Sequence, residues 1–92
     1  RNRSVGYWQL ARVLAVLGRG AEADEAAERS LRHADDQPAF YRAYAWEAKA
    51  RAAAVAGDPQ EARRCAERAR ALFPEIDDPA ERDAIAADLA TL

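Results

Sequence analysis

Among its 92 residues the chain has no methionine, one cysteine (Cys65), one histidine (His33) and one lysine (Lys49), and each scarcity excludes a class of chemistry. A single thiol permits neither an intramolecular disulfide nor a cysteine-based zinc knuckle, and it fits a reducing cytoplasm. A lone histidine supports no catalytic dyad and no metal centre. The longest apolar runs, Val13 to Leu17 and Ala52 to Ala56, fall far below the ~18 residues that cross a bilayer, and no signal peptide is visible. The missing methionine, absent even at position 1, makes the chain read as processed or cut from something longer. Charge is scarce in net terms: the formal charge is −2 and the pI near 5.4, so no global field draws nucleic acid or anionic membrane. Large aliphatic side chains are few beside abundant alanine, which predicts a thin core organised around Tyr7, Phe40, Tyr44, Trp46 and Phe73. Arginine-for-lysine and alanine usage together read as a GC-rich bacterial genome.

What the chain does have is self-similarity. A shift of 39 positions carries Gly18 onto Gly57 and brings identical residues together at Ala11/Ala50, Arg12/Arg51, Ala15/Ala54, Glu22/Glu61, Ala23/Ala62, Ala27/Ala66 and Arg29/Arg68, with Tyr7 on Trp46. A period of this size predicts stacked helical hairpins, each burying its apolar face on its neighbour.

Apolar spacing and stop signals predict five helices in an all-α domain. Helix one runs from about Ser4 to Leu17 and stops at Gly18-Arg19-Gly20. Helix two covers roughly Ala21 to Ala34 with a stripe of small residues. Asp35-Asp36-Gln37-Pro38 reads as a loop and a capped start for helix three, which continues to about Ala56; its wide apolar surface makes it the middle of the stack. Asp58-Pro59-Gln60-Glu61 and Asp78-Pro79-Ala80-Glu81 each read as a capping aspartate, a first-turn proline and a glutamate able to reach back to the cap. They start helix four, Pro59 to Phe73, and helix five, Pro79 to about Thr91, whose Ile85, Leu89 and Leu92 make it a terminal cap. The organisation is hairpin one at about 4–34, hairpin two at about 37–74 and the capping helix at about 79–92.

Through Trp46, Ala50, Ala53, Ala62, Ala66, Ala69 and Pro74, the second hairpin resembles the tetratricopeptide repeat. The first resembles it more loosely, through Tyr7, Ala11, Leu14, Ala23, Ala27 and Ser30, and lacks the closing proline. The 39-residue interval exceeds the ~34 of the family, and two hairpins with a lone helix fall short of its usual three repeats. The resemblance implies a short right-handed helical stack and a non-catalytic protein or peptide interaction module, with no cofactor.

It also implies a groove along helices one and three. At the positions matching the family's lining stand Val5, Trp8, Arg12 and Val16, then Tyr44, Glu47, Arg51 and Val55. Trp8, Arg12, Tyr44, Glu47 and Arg51 are the expected partner-binding residues, since a planar guanidinium grips a carboxylate through paired hydrogen bonds. Trp8 and Glu47 stand where the complete family clamp carries lysine. Two rival readings are a homodimer or intramolecular docking through exposed apolar ends, and an anion sensor or enzyme using the arginines with Glu47 and Tyr44. No catalytic residue and no metal ligand is expected. The bland readings are a buried inert Cys65, a His33 facing the helix dipole or water, capping roles for the Asp35-Asp36 and Asp77-Asp78 pairs, and local ion pairing for Arg63, Arg64, Arg68 and Arg70 rather than nucleic-acid binding.

Overall fold

A glycine with positive φ ends each long first helix, and from those stops the architecture follows. The computed structural model describes residues 2–92: α1 (Arg3–Val16), α2 (Gly20–Ala34), α3 (Ala39–Val55), α4 (Pro59–Ala71), a 3-10 turn at Phe73–Glu75, and α5 (Pro79–Leu89). Gly18 and Gly57 adopt φ of 75° and 81°, the left-handed conformation that a Cβ disfavours. Beyond each, the chain closes the same pair of terminal bonds. The Arg19 and Asp58 amides donate to the carbonyls of Leu14 and Ala53, both at 2.9 Å, and the two glycine amides donate to Ala15 and Ala54. This double bond is the Schellman stop, and its two copies stand 39 residues apart.

Helix starts follow the proline signals where the residues obey them. Asp58 accepts from the Glu61 amide at 3.1 Å and Asp78 from the Ala80 amide at 2.9 Å, each just before a first-turn proline. The expected reach-back by Glu61 is replaced by a pair with Arg64 at 2.6 Å. Two boundaries correct the sequence reading. The start of α3 has no aspartate cap: Pro38 itself is the cap residue and no side chain among the described residues accepts from the first-turn amides. α4 ends at Ala71 rather than Phe73, because Pro74 disfavours α geometry at the residue before it and the chain tightens into the 3-10 turn. At the amino end, Asn2 accepts from the Ser4 amide and caps α1, a role the sequence reading did not assign.

Alanine forms most of the buried surface, which lets helices approach closely. Ala48 of α3 packs on Ala11, Ala26 and Ala27 of hairpin one, and Ala52 on Ala15 and Ala23. The shifted equivalents Ala50, Cys65 and Ala66 receive Ile85 and Leu89 of α5. So α5 covers on hairpin two the acceptor that α3 covers on hairpin one. α3 packs against all four other helices and is the middle of the structure. Lys49 ties it to α2, its ammonium 2.9 Å from Asp24 and 3.5 Å from Glu28. Burial alone would lower the Lys49 pKa, but the Asp24 hydrogen bond and the two carboxylate charges outweigh it and leave it raised.

The aromatic core differs from the expected one. Tyr44 is buried, and Phe40, Trp46 and Phe73 pack against the core cluster it belongs to, but Tyr7 lies outside that cluster and Trp8 takes its place. Tyr7 stacks on His33, with ring centroids 5.3 Å apart, and Arg29 lies over it at 5.8 Å. Trp46 carries Arg68 over its ring at 5.2 Å. Because Tyr7/Arg29 and Trp46/Arg68 are related by the same 39-residue shift, the two hairpins repeat down to one aromatic–guanidinium contact. The aromatic motif position is therefore a rim position.

Nothing lies within 4 Å of a Cβ built on Gly18 or Gly57, so alanine at either site meets only backbone strain. Gly18→Ala and Gly57→Ala should each lower stability by about 1–2 kcal/mol, and the pair should add, as read by urea denaturation.

Candidate functional site

The expected groove residues do come together, on the face shared by α1, α3 and α5. Trp8 of α1 lies on the ring of Tyr44 of α3, with centroids 4.1 Å apart and planes 23° off parallel, and Phe40 meets the other side of Tyr44 edge-on at 5.2 Å. The Tyr44 hydroxyl donates to Asp88 Oδ2 of α5 at 2.9 Å. Arg12 Nη1 donates to the same oxygen at 3.2 Å. One carboxylate thus links three helices.

Arg51, one turn along α3, completes the network. Its Nε donates to Glu47 Oε2 at 2.8 Å, and its Nη2 donates to the Asp88 carbonyl and to Thr91 Oγ1, both at 2.9 Å. Thr91 donates in turn to the Asp88 carbonyl at 2.7 Å. The guanidinium therefore holds the open carbonyl end of α5, where positive charge is favourable.

Two corrections follow for the expected binding set. Arg12 and Arg51 are not free guanidiniums, since each is engaged with α5 or with Glu47. Tyr44 and Glu47 are buried, with Glu47 fully so, and they support the face from beneath rather than forming its surface. Trp8, Arg12 and Arg51 remain partly exposed, flanked by exposed Val16 and Val55. Asp88 was missed. Its signal was legible as an acid placed three residues after Ile85 and beside Leu89, on the edge of the apolar stripe of α5, but its partners are 76 and 44 residues away.

Electrostatics fit this burial. Desolvation pushes the Glu47 carboxyl up, and the charge and hydrogen bond of Arg51, with the charge of Arg12, only partly offset it. The Tyr44 hydroxyl is likewise raised, by burial and then by its hydrogen bond to Asp88. Trp8 Nε1 and Glu47 Oε1 are both buried without a hydrogen-bond partner among the described residues. Positions 8 and 47 are repeat equivalents, so both orphan groups sit where helices α1 and α3 carry the same face. Raised and sealed in this way, Glu47 and Tyr44 are poorly placed to exchange protons with a bound molecule.

Other singled-out residues take their bland roles. Cys65 is a buried free thiol whose pKa burial raises. Arg64 pairs with Glu61, while Arg68 stacks on Trp46. A hollow of about 640 Å³ lies on another face between α2 and α4 and includes Arg32, Asp35, Arg42, Trp46, Arg68 and Glu75 in its lining. Its charges are mixed and Arg68 already covers the indole, so the α1–α3–α5 face is the better candidate. No group of three or more metal-ligating side chains occurs among the described residues, and no helix there is long and apolar enough to cross a membrane.

Comparison with known families places this face in context. Residues 43–76 match the family model described as Tetratricopeptide repeat, which spans most of α3, all of α4 and the 3-10 turn. The comparisons with curated proteins and with solved structures each return no match. α3 starts four residues ahead of the matched segment.

The raised Glu47 pKa makes a signed prediction. A carboxyl whose folded pKa lies above its unfolded value favours the folded state below the unfolded pKa, and that contribution is lost as pH rises through the folded one. The stability of the native chain relative to Glu47→Gln should therefore fall as pH rises from about 4 upward. Urea titrations of both chains at matched pH values between about 4 and 8 test this, and parallel curves would contradict it.

Proposed function

We propose that this chain, a tetratricopeptide-repeat-like helical repeat protein, works as a non-catalytic module that binds a protein or peptide partner along α1 and α3. The single observation carrying the reading is the way the face already treats α5. Arg12 and Tyr44 hold the carboxylate of Asp88, and Arg51 holds the carbonyl end of the same helix. A surface that seats one acidic, helical segment in this manner has the donors for another. The partner is accordingly an acidic segment, contacting Trp8, Arg12 and Arg51 with Val16 and Val55 alongside, while Tyr44 and Glu47 fix those side chains from below.

Charge and geometry favour this over the catalytic rival. Glu47 and Tyr44, the acid–base pair that rival requires, are sealed beneath the surface. A nucleic-acid partner draws equally little support, because the basic residues of α4 lie among acids and the half-buried Trp46 beside them is stacked under Arg68.

Peptides selected from a displayed library on the full-length chain supply the test. Their binding should perturb the amide resonances of Trp8, Arg12, Val16 and Arg51, and Arg12→Ala should weaken them by about tenfold, the order expected for one charge-assisted hydrogen bond. Selected peptides that bind elsewhere, and whose affinities ignore both Arg12→Ala and Arg51→Ala, would remove α1 and α3 as the binding face.

A further inference from the structure

The outer side of α1 carries an uncovered apolar stripe, and the repeat explains what kind of surface it is. Gly6, Leu10, Val13 and Leu17 are spaced at helical intervals along one line, and the three aliphatic residues are 47%, 57% and 62% exposed. Shifted by 39 positions they become Ala45, Lys49, Ala52 and Ala56 of α3. They line the side of α3 that docks on hairpin one beside Ala48, the equivalent of Gln9: Ala52 packs on Ala15 and Ala23, Lys49 is held by Asp24 and Glu28, Ala56 sits against Gly20, and Ala45 is fully buried. α1 therefore presents, open, the face that α3 uses for docking, with leucine where α3 carries lysine.

We infer that this face pairs with the same face of a second copy, the two α1 helices crossing antiparallel about a two-fold axis between Leu10 and Val13. The residue order carries the inference. Turned end for end, the stripe matches itself: Gly6 falls opposite Leu17 of the second copy, and Leu10 opposite its Val13. Size is complementary at the two ends, and two aliphatic side chains meet at the centre. A Cβ built on Gly6 meets nothing within 4 Å, so the glycine leaves a notch that the bulky Leu17 fills. A parallel pairing would instead set leucine on leucine and glycine on glycine.

Charge and dipole agree with the antiparallel sense. The start of α1 carries Arg3, which makes no ion pair among the described residues, while the opposite end abuts Glu22 and Glu25 at the start of α2. The two-fold operation brings Arg3 of each copy toward Glu22 of the other, where Arg19 is its present neighbour. Antiparallel helices also place opposite dipole ends together. One helix face with its flanks is smaller than the ~800 Å² per partner of a standard interface, so the association is weak and concentration-dependent. An isologous pairing closes on itself and leaves the α1–α3–α5 face open.

Sedimentation equilibrium of the intact chain from about 10 μM to about 1 mM reads this directly, a range set by the small interface. The average mass should climb from the monomer's 10.1 kDa toward twice that value. Leu10→Lys and Val13→Glu, both at exposed positions, should each hold the chain monomeric across the range with unchanged helical circular dichroism. An equimolar mixture of the two variants should regain association, because the proposed register sets the new ammonium against the new carboxylate. A native chain that keeps its monomer mass at the highest concentration overturns the proposal, whatever the variants do. Association that survives both substitutions, or a mixture that fails to regain it, overturns this face and this register.

Discussion

Close approach between alanine-faced helices is the constraint from which the rest of this structure follows. Burying one alanine methyl contributes only about 0.8 kcal/mol, so no single contact between α2 and α3 holds the hairpins together. Stability has to accumulate over many short contacts, and short contacts require the helices to keep their register. The separation at Gly20 shows how little slack exists, since a Cβ there would lie 3.2 Å from the Ala56 backbone. The Schellman stops at Gly18 and Gly57 serve that need by fixing where each first helix ends and where the next can begin. Both turns close with the same hydrogen bonds because both hairpins solve one packing problem.

Polar side chains at such contacts have little room, and each is handled by a specific partner. Lys49, at the seam between α2 and α3, keeps its charge because Asp24 and Glu28 face it. Glu47 occupies a tighter place, under α1 and α5, and keeps one oxygen bonded to Arg51 while the other has no partner among the described residues. Replacing a sealed, half-satisfied carboxylate is strongly context-dependent, because its removal leaves Arg51 uncompensated. The arginine network on this face is thus partly a device for housing Glu47. Of its surface members, Arg51 takes its position from that buried acid, while Arg12 takes its own from Asp88.

Legibility in the sequence tracked how local each rule was. Helix ends governed by one or two residues, the glycine stops and the Asp-Pro starts, were readable to within a few positions. The start of α3 was as readable, but its cap was not, since Asp35 and Asp36 look like caps while Pro38 takes the position and lacks a side-chain acceptor. Tyr7 and Trp8 present the sharper lesson. Adjacent aromatics point in different directions, and the sequence pattern makes the motif position, Tyr7, the inward one. Trp8 turns inward instead, onto Tyr44, because position 7, like its equivalent 46, lies on the rim beneath an arginine. The gathering of Trp8, Arg12, Tyr44, Glu47 and Arg51 on one face was legible only through the resemblance to the repeat family, which supplies the lining positions. Their occupation by Asp88 was not, since no local pattern connects Arg12 to a residue 76 positions away.

α5 shows how apolar and polar contacts divide the work of docking. Ile85 and Leu89 are fully buried, and side chains of that size contribute about 1.5–3 kcal/mol each. The Arg12–Asp88 pair, with side chains 40% and 27% exposed, belongs to the class of partly solvated pairs that contribute about 0.2–1 kcal/mol. Apolar burial therefore holds α5 in place, while Asp88 sets its rotation about its own axis. The two functions are separable. An acidic ligand competing with Asp88 for Arg12 has only the weaker contact to displace, and α5 can stay seated on Ala50, Cys65 and Ala66 while the guanidinium changes partner. On that reasoning the face is available to a partner without unfolding the helix that lies across its edge, and salt should weaken the Asp88 contact before it loosens the helix.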